Sequence, residues 1–343
     1  MRRPLLQPLR RVAFLSLLVA CGSRTGLFDE EEGYLYGGGG VDAGGDGRAR
    51  RDGGFGDEDD PDADTFEDAP PPLDVQPPVD VSRKGCPPGA TLIYTITQTN
   101  ELQSFDPATG QFTFISNIAC QTTVPGATPF SMAVNRIGVA YILFTDEHIY
   151  QVSTLNGACV DTPYAIEQAG FKQFGMGITT VDDNGTEALF VAGSSEGNTG
   201  GTTGLGRIDD FKNFTLTKVA DFNGSDVHNA EFTGTGTGGL YGFYRKTDNV
   251  LDTTSYIGQI ATRDVGTVKV GDVIGEHRFD NLAQGDGWAF AFWGGDFYMF
   301  HAPNGTTLVT RYRPTDLQNP TVDVAQSSVV IVGAGVSTCA PQQ

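Results

Sequence analysis

Basic residues are scarce in this chain: 22 Lys and Arg stand against 42 Asp and Glu, for a formal net charge of -20. Such a balance repels phosphate backbones, and no stripe of Lys or Arg interleaved with aromatics offsets it, so nucleic acid is excluded as a partner. Long apolar runs are lacking too. The one candidate, residues 12–20 behind Arg2, Arg3, Arg10 and Arg11, is too short to cross a bilayer and reads as the apolar part of a cleaved export signal, residues 1–20. There is no G-x-x-x-x-G-K-[ST] and no H-E-x-x-H. The four histidines, His148, His228, His277 and His301, have no ligand spacing and are expected in turns or strands. No C-x-x-C pair exists to build a cysteine metal site. Catalysis and a cofactor are therefore not expected.

Gly and Pro are plentiful, 46 and 18 residues, and a dense block of both lies in the first quarter of the chain. Residues 21–85 run through Gly37 to Gly40, an acidic stretch around Asp59 and Asp60, and Pro70 to Pro72, with neither a helical nor a strand period. A segment so poor in large apolar side chains does not offset the entropy of ordering it, so a disordered acidic tether is expected. Its reach would be about 45 Å. The Asp-rich run lacks the D-x-[DN]-x-[DN]-G loop that fixes Ca²⁺ ligands.

From residue 86 to 343 the chain repeats. Apolar runs centred on Tyr94, Tyr141, Phe190, Tyr241 and Tyr298 recur about every 50 residues. Each is followed by a second run, at residues 102–105, 149–152, 205–208, 257–260 and 309–312. Gly-flanked runs at 130–134, 175–178, 229–232 and 288–292 precede four of the pairs, and outer runs follow at 112–115, 216–219 and 267–270. Four strands per repeat is the blade of an all-β propeller, with five blades expected and six as the alternative; a β-sandwich fits the period less well. Asn156-Gly157, Asn184-Gly185, Asn223-Gly224 and Asn304-Gly305 supply tight turns. The first pair lacks an inner run, and residues 329–335 are the candidate to supply it and close the ring; otherwise they end the last blade as a long outer strand.

Several phrases are familiar. Leu18, Val19, Ala20 and Cys21, followed by Gly22, resemble the lipobox of bacterial lipoproteins. That resemblance implies a diacylglyceryl group on Cys21, which becomes the new N-terminus, and an anchor in a membrane that the chain does not cross. Gly22 is not the acidic residue of an inner-membrane retention signal, which favours the outer membrane, facing the periplasm or the cell surface. Residues 102–110, a strand leaving through Asp106-Pro107-Ala108-Thr109-Gly110, resemble propeller repeats of the kelch, NHL and quinoprotein-like kinds. The wider layout, with Cys21 to Leu27 after the signal and Glu231 to Gly236 in a blade, is similar to uncharacterised myxobacterial lipoproteins.

With Cys21 given to lipid, Cys86, Cys120, Cys159 and Cys339 remain, and export permits disulfides. Of three connectivities, a closed ring favours Cys86 to Cys339 and Cys120 to Cys159. Glu231, beside His228 and Asn229 on an inner run, is the acidic residue nearest a central channel, with Asp286 at the start of another inner run. Propeller lactonases related to gluconolactonase hold one metal with Glu, Asn and Asp at the channel mouth. The resemblance would give that role to Glu231, Asn135 and Asp286, with Ca²⁺ as the ion, although a hydrogen-bonded blade cap is the favoured reading. The aromatic residues from Trp288 to Phe300 invite a carbohydrate site, but alternation assigns Trp288, Phe290 and Phe292 to an inter-blade core. The expectation is a monomeric binding scaffold for a protein or glycan, with a metal-dependent hydrolase as the alternative.

Overall fold

The computed structural model describes Cys86 and residues 91–343, apart from residues 194–200, Val250 and Asn319. The expected export signal, lipidated Cys21 and tether lie outside the described residues.

Strands β1 (Ile93–Thr97), β2 (Glu101–Asp106) and β3 (Gln111–Asn117) begin the first blade. Blade 2 is β4 (Pro129–Val134), β5 (Val139–Phe144), β6 (Ile149–Ser153) and β7 (Cys159–Asp161). Blade 3 is β8 (Phe174–Thr180), β9 (Glu187–Gly193), β10 (Gly204–Ile208) and β11 (Leu216–Ala220). Blade 4 is β12 (His228–Gly234), β13 (Leu240–Arg245), β14 (Ser255–Ile260) and β15 (Val273–Phe279). Blade 5 is β16 (Trp288–Trp293), β17 (Asp296–His301), β18 (Thr307–Tyr312) and β19 (Thr321–Ser327). The last strand, β20 (Ile331–Val336), returns to pair antiparallel with β1, Ile93 opposite Val336, and becomes the inner strand of blade 1. The result is five four-stranded antiparallel sheets in a closed propeller. The residue 329–335 run is thus the closing strand and not the outer edge of blade 5.

Alternation gives each sheet two apolar faces, and each face is buried by the next blade. Five hydrophobic clusters follow, one at each blade boundary. The boundary that closes the ring is built on Phe105 of β2 against Phe300 of β17, ring centroids 5.5 Å apart and edge to face. Phe290, Phe292 and Phe297 fill the boundary between blades 4 and 5, with Trp288 packed on its edge. Inner strands crowd the axis so closely that side chains must be small. A Cβ on Gly175 of β8 would meet the carbonyl oxygen of Ala230 at 1.9 Å, and one on Gly234 of β12 that of Ile178 at 2.0 Å.

One outer strand lies elsewhere than its apolar pattern suggests. Residues 267–270 do not form the edge of blade 4; Val265 and Val268 exchange both backbone hydrogen bonds in a tight hairpin there. The edge is β15, which reads Val-Ile-Gly-Glu-His-Arg-Phe and is mostly solvent-facing. An edge strand with one neighbour and water beyond it needs little apolar character, so hydrophobicity misplaces it.

The turns after β4, β8, β12 and β16 lie on one face of the ring, here the exit face; the starts of the inner strands lie on the other, the entry face. Two disulfides tie the domain. Cys86 is bonded to Cys339 across a separation of 253 residues, and Cys120 to Cys159 across 39.

Candidate functional site

The axis is occupied at its middle. Glu231 reaches from blade 4 towards blade 2, where Ser131 Oγ of β4 donates to its Oε2 at 2.7 Å; the same Ser131 Oγ accepts the Met176 N–H of β8 at 3.0 Å. Three inner strands therefore meet on one carboxyl. A register shift between His228 and Glu231, with Asn229 at φ 49, sets the side chain's direction. Burial pushes the Glu231 carboxyl well above the ordinary range, and the hydrogen bonds from Ser131 and the Met176 amide pull it back only in part. A neutral, buried carboxyl with a serine partner on the axis is a structural link between blades.

The exit end is crossed by the chain's own tail. After β20, Ser337 Oγ donates to the carbonyl of Arg136 in the blade 2 turn, and Thr338 Oγ1 donates to Glu187 Oε1 at 2.6 Å in blade 3. Thr237 Oγ1 of blade 4 donates to Gln342 Oε1, and Gly294 N–H of blade 5 donates to the Pro341 carbonyl at 2.9 Å. Ser337 and Thr338 are each 1% exposed. With Cys339 bonded to Cys86 ahead of blade 1, the tail touches every blade. Glu187 is half-buried beneath it, accepting Arg136 N–H at 3.1 Å, and desolvation raises its carboxyl above the usual value. No motif announces such a tail; the signal in the sequence is Cys339, set a few residues beyond the closing run.

The entry end keeps a small mouth. A hollow of about 120 Å³ lies among Gln98, Thr128, Thr145, Asp286 and Trp288, floored by the starts of β4 and β16 and by Val332 of β20. Asp286 is exposed, while Trp288 is half-buried with its indole N–H buried and unpaired. A flat apolar ring beside a free carboxylate and an amide is a surface on which a polar ligand with an apolar face can rest.

Glu231, Asn135, Asp286 and His228 are not brought together. Asn135 follows β4 at the exit face, where its Oδ1 accepts the N–H groups of Ile137 at 3.2 Å and Val139 at 2.9 Å; it is a turn cap. Asp286 stands at the entry face and Glu231 lies between them in the axis. His228 turns to Asp248 in the β13–β14 loop, Nδ1 to Oδ1 2.6 Å. The set that a lactonase-like metal would need is thus spread along the whole axis, and among the described residues no group of three His, Cys, Asp or Glu is placed to hold a metal. The remaining histidines are held locally. His301 lies between the Ala283 carbonyl and Thr310 Oγ1, His277 stacks on Tyr312 at 4.4 Å, and His148 shares Thr123 with Asp146.

No protein-family model matches the chain, and no curated protein matches it. Solved structures of low identity do. A protein of unknown function from Bacteroides caccae is 10% identical, covering 68% of this chain and 72% of that one, with a TM-score of 0.33. The PQQ-bound aldose sugar dehydrogenase of Streptomyces coelicolor is 13% identical over 68% and 77%, with a TM-score of 0.39. TolB from Acinetobacter baumannii is 14% identical over 70% of this chain and 51% of its own, with a TM-score of 0.36. The chain spans about half of that TolB. At such identities and scores these likenesses say nothing of what this chain binds or does.

Proposed function

We propose that this chain is an exported lipoprotein that binds a protein or glycan ligand at the entry face of its propeller. It is anchored through Cys21 in the outer membrane, with the folded domain in the periplasm or at the cell surface. The anchor is supported by the basic, apolar and small residues that lead in that order to Cys21, and by the acidic Gly- and Pro-rich stretch behind it. The binding role is carried by one observation: the axis is filled by Glu231 and crossed by the tail at one end, leaving the mouth with Gln98, Asp286 and Trp288 at the other. A rigid ring that keeps one aromatic-lined mouth loses little conformational entropy when a ligand settles there.

The test is an array screen of the purified domain against glycans and envelope-derived peptides, repeated with Asp286→Ala and Trp288→Ala. Binding that both substitutions weaken is the expected result. No binding in any format, or binding that both variants retain, overturns the reading.

A further inference from the structure

The exit face carries a second, larger hollow. Its volume is about 570 Å³, and it is lined across blades 2, 3 and 4 by Arg136, the Asp182–Gly185 turn, the Gly236–Gly238 turn and Arg263. Most cations of the domain stand against a carboxylate: Arg207 on Asp209, Lys246 on Glu276, Arg278 on Asp280 and Arg313 on Asp296. Neither guanidinium in the hollow does so. Arg136 is half-buried, with its Nε buried and without a hydrogen-bond partner. Its head lies flat on the bare backbone of Gly185, where a Cβ would meet Nη1 and Nη2 at 2.5 Å. Arg263 is exposed and lines the same hollow. Glu187, which accepts the Arg136 main-chain N–H, acts on that guanidinium only through space and forms no ion pair with it, and the other acids nearby do not neutralise the two cations. Asp182 accepts from Asn184 N–H, Thr186 N–H and Thr186 Oγ1 within its own turn, and those bonds hold its carboxyl below the usual range. Asp183, on the same turn, is in no ion pair among the described residues.

In a chain with a net charge of -20, two guanidiniums in one hollow that form no ion pair among the described residues are conspicuous. A partly buried guanidinium without acceptors is left with a desolvation cost that an oxyanion relieves by accepting two of its N–H groups. We propose that this hollow binds a small ligand through a carboxylate or phosphate group held by Arg136 and Arg263. The site is separate from the entry-face mouth and does not depend on it. With Asp182 and Asp183 on the rim, the hollow is close to neutral, so affinity comes from direct contact with the guanidiniums and not from long-range attraction.

Isothermal titration of the intact domain with inorganic phosphate and with citrate, at constant ionic strength, tests this and tells the two groups apart. The expected result is saturable binding of at least one anion, weakened about tenfold or more by Arg263→Ala and by Arg136→Ala. Arg263→Lys should restore part of it, and Asp286→Ala should leave it unchanged. Arg263 is exposed, so its variants should melt as the unsubstituted domain does, which keeps the result readable if Arg136→Ala misfolds. The proposal is overturned if neither anion saturates, if Arg263→Ala binds like the unsubstituted protein, or if Asp286→Ala abolishes binding.

Discussion

Ser131 and Glu231, 100 residues apart in the chain, are joined by a 2.7 Å hydrogen bond in the middle of the propeller axis. The bond spans blades 2 and 4, and through the amide of Met176 it engages blade 3 as well. A carboxyl placed there is stable as the acid, because it is buried and no cation among the described residues acts on it.

Stability should therefore fall on the alkaline side of the ordinary carboxylate range. The folded pKa of Glu231 lies well above 4.5, so the unfolded chain releases this proton first as pH rises. The stabilisation is whole below about pH 4.5 and is lost until pH passes the folded pKa. Thermal melts from pH 5 to 8 should show a steeper decline for the unsubstituted domain than for Glu231→Gln, which keeps the hydrogen bond without a charge. His301, whose pKa is lowered by burial, works in the opposite sense below its usual 6.5 in both proteins, so the difference between the two profiles isolates Glu231. Parallel profiles would rule the assignment out.

The two disulfides should contribute unequally. Closing 253 residues removes more unfolded-state freedom than closing 39, by about 1.7 kcal/mol on the chain-entropy relation. Denaturant unfolding of Cys86→Ser/Cys339→Ser should show the greater loss, with Cys120→Ser/Cys159→Ser intermediate. The reverse order would mean that the tail is held by its hydrogen bonds alone.

Two glycine substitutions separate space from conformation. Gly175→Ala puts a Cβ 1.9 Å from the Ala230 carbonyl oxygen, which belongs to a neighbouring inner strand and cannot yield, so a loss of about 3 kcal/mol or more is expected. Gly266→Ala, at φ +61 with nothing within 4 Å, should lose only the 1–2 kcal/mol of a strained left-handed residue, roughly. Equal losses in urea titrations would mean that the axis is looser than its contacts imply.

Cys21→Ser tests the anchor. Lipid attachment requires the thiol, so the substituted protein should move from the membrane fraction to the soluble exported fraction. Retention in membranes after the substitution would show that something other than Cys21 holds it there.

The repeat was legible because burial against two neighbours imposes a pattern that a single face does not. Tyr94, Tyr141, Phe190, Tyr241 and Tyr298 all sit on second strands, where both faces are covered, and their period revealed the blades. The closing role of β20 was legible as well, from the missing inner strand of blade 1. Outer edges were legible in part: residues 112–115 and 216–219 do lie in β3 and β11, but β15 carries Glu276, His277 and Arg278, and its pairing with β14 rests on backbone hydrogen bonds that leave no apolar trace. The candidate site was legible only in part. Glu231 does face the axis, but a strand has two ends, and residue type alone could not say that Asn135 and Asp286 would stand at opposite faces. Arg136 and Arg263 gave no signal in sequence, because what distinguishes them is the absence of a carboxylate partner, and partners are assigned by the turns of three different blades.

The bond between Cys86 and Cys339 also fixes a route for mechanical load. A pull on the chain ahead of Cys86 would otherwise peel β1 away from β20, opening one hydrogen bond after another at low force. With the two ends covalently joined, the same pull enters β20 and the tail together, and is shared by contacts with four more blades. The ring is then loaded as a clasped belt, whose weakest seam is bypassed by its buckle.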